Sequence, residues 1–162
     1  MINHNNLRND FMNSVVLGKP YAAAYIRGGK GYTSITGTAA FYKTERGVVA
    51  VTEVSGLGDF GREILACHIH SGGSCSGTAQ DPFANAGTHY NPEGVPHPYH
   101  AGDMPPLFCA GGYAFCAFVT DRFTIDEIIG KTVIIHSKPD DFTTQPSGNA
   151  GSKIACGVIR KL

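Results

Sequence analysis

Short runs of alternating apolar and polar residues, separated by turns rich in glycine or charge, dominate the chain from Pro20 onward. Alternation puts one face of each strand into a core, and closely spaced turns favour antiparallel hairpins. The pattern therefore predicts an all-β sandwich or barrel over residues 20–162. Its strands are predicted at residues 21–27, 34–43, 48–55, 63–70, 107–109, 113–119, 132–136 and 153–159.

Two long polar segments interrupt this pattern, at residues 71–104 and 137–152. The first has almost no aliphatic residues and a dense set of His, Asp and Asn. A structureless loop of that length inside a compact domain is normally functional. Between the two segments, Thr124 and Glu127 have the spacing of a capping box, which predicts one short helical turn.

The first 19 residues lack the strand pattern and are predicted to form a weakly structured arm, with a helical turn around residues 11–16. They are polar and have no apolar signal-peptide core, so we expect the protein to stay in the cytoplasm. No run in the chain approaches the roughly 18 apolar residues that span a bilayer.

The charge balance argues against two classes of partner. Lys+Arg and Asp+Glu both number 13, so the formal net charge is zero. Proteins that bind nucleic acids or anionic membranes normally carry a basic excess, so neither partner is expected. Five cysteines leave at least one thiol free if the others pair internally, and none has zinc-finger spacing. Candidate metal ligands are therefore sought among the seven histidines.

Three histidines lie at predicted strand ends. His68 and His70 share one strand face because side chains alternate, and His136 points away from the face of Val133 and Ile135. A pair of imidazoles on one face is half of a metal site. Taken alone, however, such a pair is more often a coincidence on a solvent-facing strand, and His136 alone is better interpreted as an ordinary strand-end histidine.

Three more histidines and an aspartate lie in a stretch of 15 residues inside the first long loop. Chance clustering in a polar loop is the alternative explanation, and it is harder to accept for four such residues. Three imidazoles with one carboxylate suit tetrahedral zinc, whereas an all-imidazole tetragonal site suits copper. The four loop residues are His89, His97, His100 and Asp103.

Four motifs closely resemble those of copper–zinc superoxide dismutases: HIH at 68–70, GTHYNP at 87–92, HAGD at 100–103 and GNAGSKIACGVI at 148–159. The resemblance implies an eight-stranded Greek-key sandwich or flattened barrel, immunoglobulin-like, whose two long loops form the metal site. It implies one copper and one zinc per subunit, bridged by His89. The implied copper ligands are His68, His70, His89 and His136; the implied zinc ligands are His89, His97, His100 and Asp103.

The resemblance also implies roles outside these ligands. Asp140 would link a copper histidine to a zinc histidine, although the residues alone suggest a solvated turn there. Cys75 and Cys156 would form the family's intrasubunit disulfide. Cys67 is expected to face the core, since it alternates with His68. The remaining two cysteines, Cys109 and Cys116, could pair across a hairpin or stay as buried free thiols, and the second option is favoured.

The implied activity is disproportionation of superoxide to dioxygen and hydrogen peroxide by redox cycling of copper, with zinc as a redox-inert structural ion. On copper reduction, His89 would leave the copper and take up a proton. Lys153 stands where most family members carry an arginine that guides superoxide. Lysine keeps the charge but loses the planar fork, so a slower enzyme is expected. Without the motif, Lys153 would be interpreted as a solvated lysine, and Lys131 and Lys138 could add positive potential.

Two competing functions stay open at this point. One is a copper- or zinc-binding protein of the same fold with little activity, acting as a metal carrier or buffer. The other is a structural β-sandwich with a zinc-ordered loop. The complete ligand set favours the enzyme, whose substrate partner is the superoxide anion, and a homodimer is possible. One departure concerns zinc: only two residues separate His97 from His100, a shorter loop than in better-known family members.

Overall fold

The protein folds almost entirely into β-structure in the computed structural model, which describes residues 18–61 and 63–162. The expected helical turn at 11–16 and all but the last two residues of the predicted arm lie outside these ranges, so the arm stays a prediction. The strands are β1 Ala22–Gly28, β2 Thr36–Thr44, β3 Gly47–Ser55, β4 Ile64–Leu65, β5 Cys67–His70, β6 Leu107–Phe108, β7 Tyr113–Thr120, β8 Thr132–His136 and β9 Lys153–Lys161.

The strands form an antiparallel sheet of order β5-β8-β9-β1-β2-β3-β7 and a separate β4–β6 pair. The single strand predicted at 63–70 is divided between the two, because at Ala66 the chain turns to bond Lys138 and His136. Since β4 runs on into β5 and β6 leads by a short turn into β7, the pair lies between the two edges of the large sheet. Counting 64–70 as one strand, the predicted eight-stranded flattened barrel is confirmed.

The two faces of β5 and β8 have different environments. Cys67 and Ile69 of β5 and Val133 and Ile135 of β8 pack into the main apolar core, as their alternation predicts. Ile134 points the other way and packs with Phe83, Ala86 and Cys156 in a smaller apolar cluster. Because His68 pairs with Ile134 in the register, the histidines of β5 lie on this outer face. Loop residues cover the face, and His68 is fully buried.

A disulfide joins Cys75 in the first long loop to Cys156 on β9, with 5.6 Å between the Cα atoms and a sequence separation of 81. The family resemblance implied this pairing. Of the other three cysteines, Cys67 lies in the core as expected, and Cys109 and Cys116 are free rather than paired across the hairpin. Cys109 is buried, but Cys116 is only half-buried.

The predicted helical turn is present as α1, Ile125–Ile128. Glu127 Oε2 accepts the Thr124 backbone N–H at 2.7 Å, as a capping box requires. Within residues 18–61 and 63–162, we find no helix with the length and apolar character needed to cross a membrane.

Candidate metal centre

His68 and His70 from β5, His136 from the end of β8 and His89 from the first long loop converge on the outer face of the barrel. All four rings are buried, and their candidate ligand atoms lie within 4.8 Å of one another. Backbone pairing of β5 with β8, and an isolated β-bridge between His70 and His89, fix the spacing of three different chain segments.

Backbone carbonyls set the tautomers of two of these rings. Gly87 O accepts from His70 Nδ1 at 2.9 Å, and Gly151 O accepts from His136 Nδ1 at 3.3 Å. With the proton on Nδ1, each Nε2 presents a lone pair, and the two Nε2 atoms are 3.2 Å apart. Two lone pairs at that distance repel unless a cation lies near both, so the arrangement fits a metal ion.

Burial keeps these rings neutral. It lowers the pKa of His70 to about 2 and that of His136 to about 3. Burial also lowers the pKa of His68, although the hydrogen bond to Asp140 acts to raise it. Because metal binding requires the neutral imidazole, these rings need not lose a proton to accept a metal at neutral pH.

The second group comprises His89, His97, His100 and Asp103, whose candidate ligand atoms also lie within 4.8 Å of one another. Asp103 Oδ1 is 2.7 Å from His89 Nδ1, and Asp103 Oδ2 is 3.0 Å from His97 Nδ1. His100 Nδ1 is 3.3 Å from the same Oδ2. The short 97–103 segment therefore does bring its three candidate ligands together, in a donor set that suits zinc.

Gly102 explains how the HAGD segment reaches β5. Ile69 donates a backbone hydrogen bond to Gly102 O at 2.8 Å, and Gly102 donates to Tyr90 O at 2.8 Å. A Cβ on Gly102 would clash with the Ile69 carbonyl oxygen. Only glycine allows this close backbone approach, which holds His100 and Asp103 against the strand that carries His68 and His70.

Asp140 connects the two groups. Its Oδ2 accepts from His68 Nε2 and its Oδ1 accepts from His97 Nε2, both at 2.8 Å. These bonds leave His68 Nδ1 and His97 Nδ1 as buried atoms with no hydrogen-bond partner, and His89 Nε2 is a third such atom. His97 Nδ1 lies 3.0 Å from Asp103 Oδ2, but with the ring proton on Nε2 it has no hydrogen to donate to that oxygen. Buried polar atoms are rarely left unpaired, so these three lone pairs fit two bound cations.

Asp140 is itself held as a carboxylate. Burial acts to raise its pKa, but hydrogen bonds from His68, Phe142 and His97 together bring the pKa well below its usual range. Gly148, of the GNAG motif, makes room for it: a Cβ there would clash with the Asp140 carboxylate and lie 2.7 Å from His97 Nε2.

Lys153 lies beside the first group. It lines a cavity of about 420 Å³ together with His70, His89 and His136. Among the described residues that line this cavity, Lys153 is the only lysine or arginine. The Lys131 ammonium instead lies over the Tyr90 ring, 4.4 Å from its centroid, and Lys138 is exposed outside the cavity lining.

A family model described as copper/zinc superoxide dismutase matches residues 35–159. The chain belongs to the copper/zinc superoxide dismutase family. The matched region contains every candidate ligand, Asp140, Lys153 and both disulfide cysteines.

Curated members of the family align over most of their length. A copper–zinc superoxide dismutase of Aquifex aeolicus is 35% identical, over 78% of this chain and 80% of its own. One from Photobacterium leiognathi is 34% identical, over 76% of this chain and 78% of its own. One from Deinococcus radiodurans is 32% identical, over 90% of this chain and 87% of its own.

Two residues that hold the 97–103 segment in place were missed in the sequence. The Gln145 amide accepts from His97 N at 2.9 Å and donates to His97 O at 2.7 Å. Arg122 donates to the carbonyls of Pro98 and His100, at 3.1 and 3.4 Å. No local pattern marks either residue, because their partners lie 48 and 22 to 24 positions away.

Replacing Gln145 with alanine should weaken zinc binding by about tenfold, because the His97 backbone loses both hydrogen bonds that fix it. Competition with a chromophoric chelator measures the zinc affinity. Gln80→Ala is the matched control, since Gln80 is exposed in the other loop. If Gln145→Ala binds zinc as tightly as the control, the two hydrogen bonds of Gln145 to His97 do not support zinc binding.

Proposed function

We propose that the chain disproportionates superoxide at a copper ion bound by one histidine group, next to a zinc ion in the other. Family membership gives the superoxide dismutase activity and the copper and zinc cofactors. The division of ligands is our proposal: His68, His70, His89 and His136 for copper, and His89, His97, His100 and Asp103 for zinc. The observation that carries it is the bridging of His68 and His97 by Asp140, which leaves a lone pair on each side.

Copper, when bound, supplies the one-electron redox change, and zinc supplies a fixed positive charge. The chain fixes the donor atoms around them. His89 has its Nδ1 beside Asp103 and its unpartnered Nε2 toward the first group, so one ring can serve both ions. Because His89 also lines the cavity, its Nε2 is the atom we expect to take up a proton and deliver it to the reduced product. Two superoxide ions and two protons give one dioxygen and one hydrogen peroxide.

Lys153 is proposed to attract and hydrogen-bond the anion. We expect Lys153→Ala to lower the rate about tenfold, since charge of the opposite sign in a cleft raises association rates by about 10 to 1,000-fold. Lys153→Arg should raise the rate a few-fold because the planar fork is more rigid. Stopped-flow superoxide decay on fully metal-loaded proteins measures both rates. Equal rates in all three proteins would remove Lys153 from the mechanism.

Reconstitution separates the enzyme from a metal carrier or buffer. The metal-free chain is loaded with zinc alone, copper alone or both, and copper content and superoxide decay are measured on each sample. The enzyme requires activity that follows bound copper. Copper bound stoichiometrically with no activity would support the carrier instead, and no copper binding would leave only a zinc-ordered sandwich.

Two further expectations, homodimerisation and a cytoplasmic location, stay predictions. Homodimerisation is supported by exposed Phe108, Phe115 and Val119 on the adjoining strands β6 and β7, and sedimentation velocity would test it. The expected cytoplasmic location stays a prediction for cell fractionation.

A further inference from the structure

The Lys153 ammonium is held by the first long loop. Its Nζ donates to Asp81 Oδ2 at 2.8 Å and to Phe83 O at 3.1 Å, both from a segment about 70 positions earlier in the chain. The Lys153 side chain is 16% exposed and that of Asp81 is 44% exposed. The sequence around Asp81 gives no indication of this ion pair.

Asp81 is held in place by two hydrogen bonds within its own loop. Its Oδ1 accepts the Phe83 backbone N–H at 3.0 Å, and its own N–H donates to Thr78 Oγ1 at 3.1 Å. The Phe83 ring packs in the small apolar cluster with Cys156, and the disulfide attaches the same loop to β9. The loop that carries the Asp81 carboxylate is therefore attached to β9 at Cys156, three residues after Lys153.

The Lys153 ammonium has one N–H donor left for a ligand. An ammonium has three N–H donors, and two of them are taken by Asp81 and Phe83. Lys153 also lines the cavity beside His70, His89 and His136, where the third donor is available. A free lysine would sample many rotamers, whereas an arginine presents a rigid fork.

We propose that Asp81 is a positioning residue that holds Lys153 in one orientation, so that an incoming anion meets a fixed donor. The proposal rests on the proposed role of Lys153 in superoxide binding. It assigns to Asp81 the pre-organisation that the guanidinium fork provides in family members with arginine. Asp81 also brings a negative charge to the site, and this has the opposite effect on a negatively charged ligand.

Salt separates orientation from charge. At 0.5 M salt the Debye length falls to about 4 Å, so the repulsion from the half-exposed carboxylate is largely screened. The cost of ordering a released lysine remains, and it corresponds to about two- to tenfold in affinity. If orientation dominates, removing Asp81 weakens anion binding in high salt. If charge alone matters, removal strengthens binding in low salt and has no effect in high salt.

The test is azide titration of the copper- and zinc-loaded protein at 0.5 M salt, followed by absorption. We expect Asp81→Ala to raise the azide Kd by about two- to tenfold. Asp81→Asn should stay closer to wild type because its amide oxygen still accepts from Lys153. Glu45→Gln is the control, because it removes an equal charge far from the site. Glu45 lies in the β2–β3 turn, and β2 extends about 26 Å from there to Thr36, the end of the strand nearest Cys156. Melting temperatures check that each variant is folded.

The decisive comparison adds Lys153→Ala. In that background, Asp81→Ala should no longer change the azide Kd, because the residue acts through the lysine. An unchanged or lower Kd in Asp81→Ala at high salt would overturn the proposal, as would an equal effect with Lys153 absent. Azide binding requires no turnover, so a protein with no dismutase activity but with this coupling would refute the proposed function and leave the positioning role in place.

Discussion

Replacing His89 with alanine is expected to weaken binding of both copper and zinc, each by more than about 100-fold. Loss of a residue that only orients a ligand typically costs 10 to 100-fold in affinity, and His89 is proposed as a direct ligand of both ions. Its Nδ1 lies beside Asp103 and its Nε2 is buried without a hydrogen-bond partner. No other described residue belongs to both groups.

Two single-site variants serve as matched controls. His136→Ala should weaken copper binding alone, and His100→Ala should weaken zinc binding alone, because each belongs to one group. Affinities come from chelator competition, and superoxide decay is measured on the loaded proteins. We expect activity to be lost in His89→Ala and His136→Ala. A His89→Ala protein that binds either metal as tightly as wild type would contradict the shared-ligand assignment.

Removing the disulfide should lower the free energy of unfolding by about 4 kcal/mol. The bond closes a loop between cysteines with a sequence separation of 81, and constraining the unfolded chain over that length has about this effect in the chain-entropy model. Cys75→Ser and Cys156→Ser should each show the loss in urea titrations of the metal-free protein, where metal binding adds nothing.

The control for this loss is Cys116→Ser, which alters a free, half-buried thiol on β7. Its free energy of unfolding should change by less than about 1 kcal/mol, since it removes no cross-link. Adding a reductant to the wild type should reproduce the Cys75→Ser value. If the reduced wild type unfolds at the same urea concentration as the oxidised protein, the disulfide is not a main source of stability.

The strand pattern predicts most of the barrel because alternation and glycine-rich turns are local signals. Its clear error is the strand at 63–70, which the structure divides at Ala66. That break depends on hydrogen bonds to Lys138 and His136, which are remote in sequence. The capping box at Thr124, by contrast, uses residues three apart, and the predicted turn is present.

The candidate site follows the same division. HIH places two imidazoles on one strand face by alternation alone, but the pattern gave Asp140 a solvated turn. The structure buries Asp140 between His68 and His97. Only the family resemblance indicated that role. Neither the pattern nor the resemblance indicated Gln145 or Asp81, because each acts through contacts with a residue that is remote in the sequence.

The most direct measurement of the two-site account is a crystal structure of the copper- and zinc-loaded protein with anomalous data at both absorption edges. We predict one copper among His68, His70, His89 and His136, and one zinc among His89, His97, His100 and Asp103, with His89 in contact with both ions. A single metal position, or two ions with His89 bound to only one of them, would contradict the account.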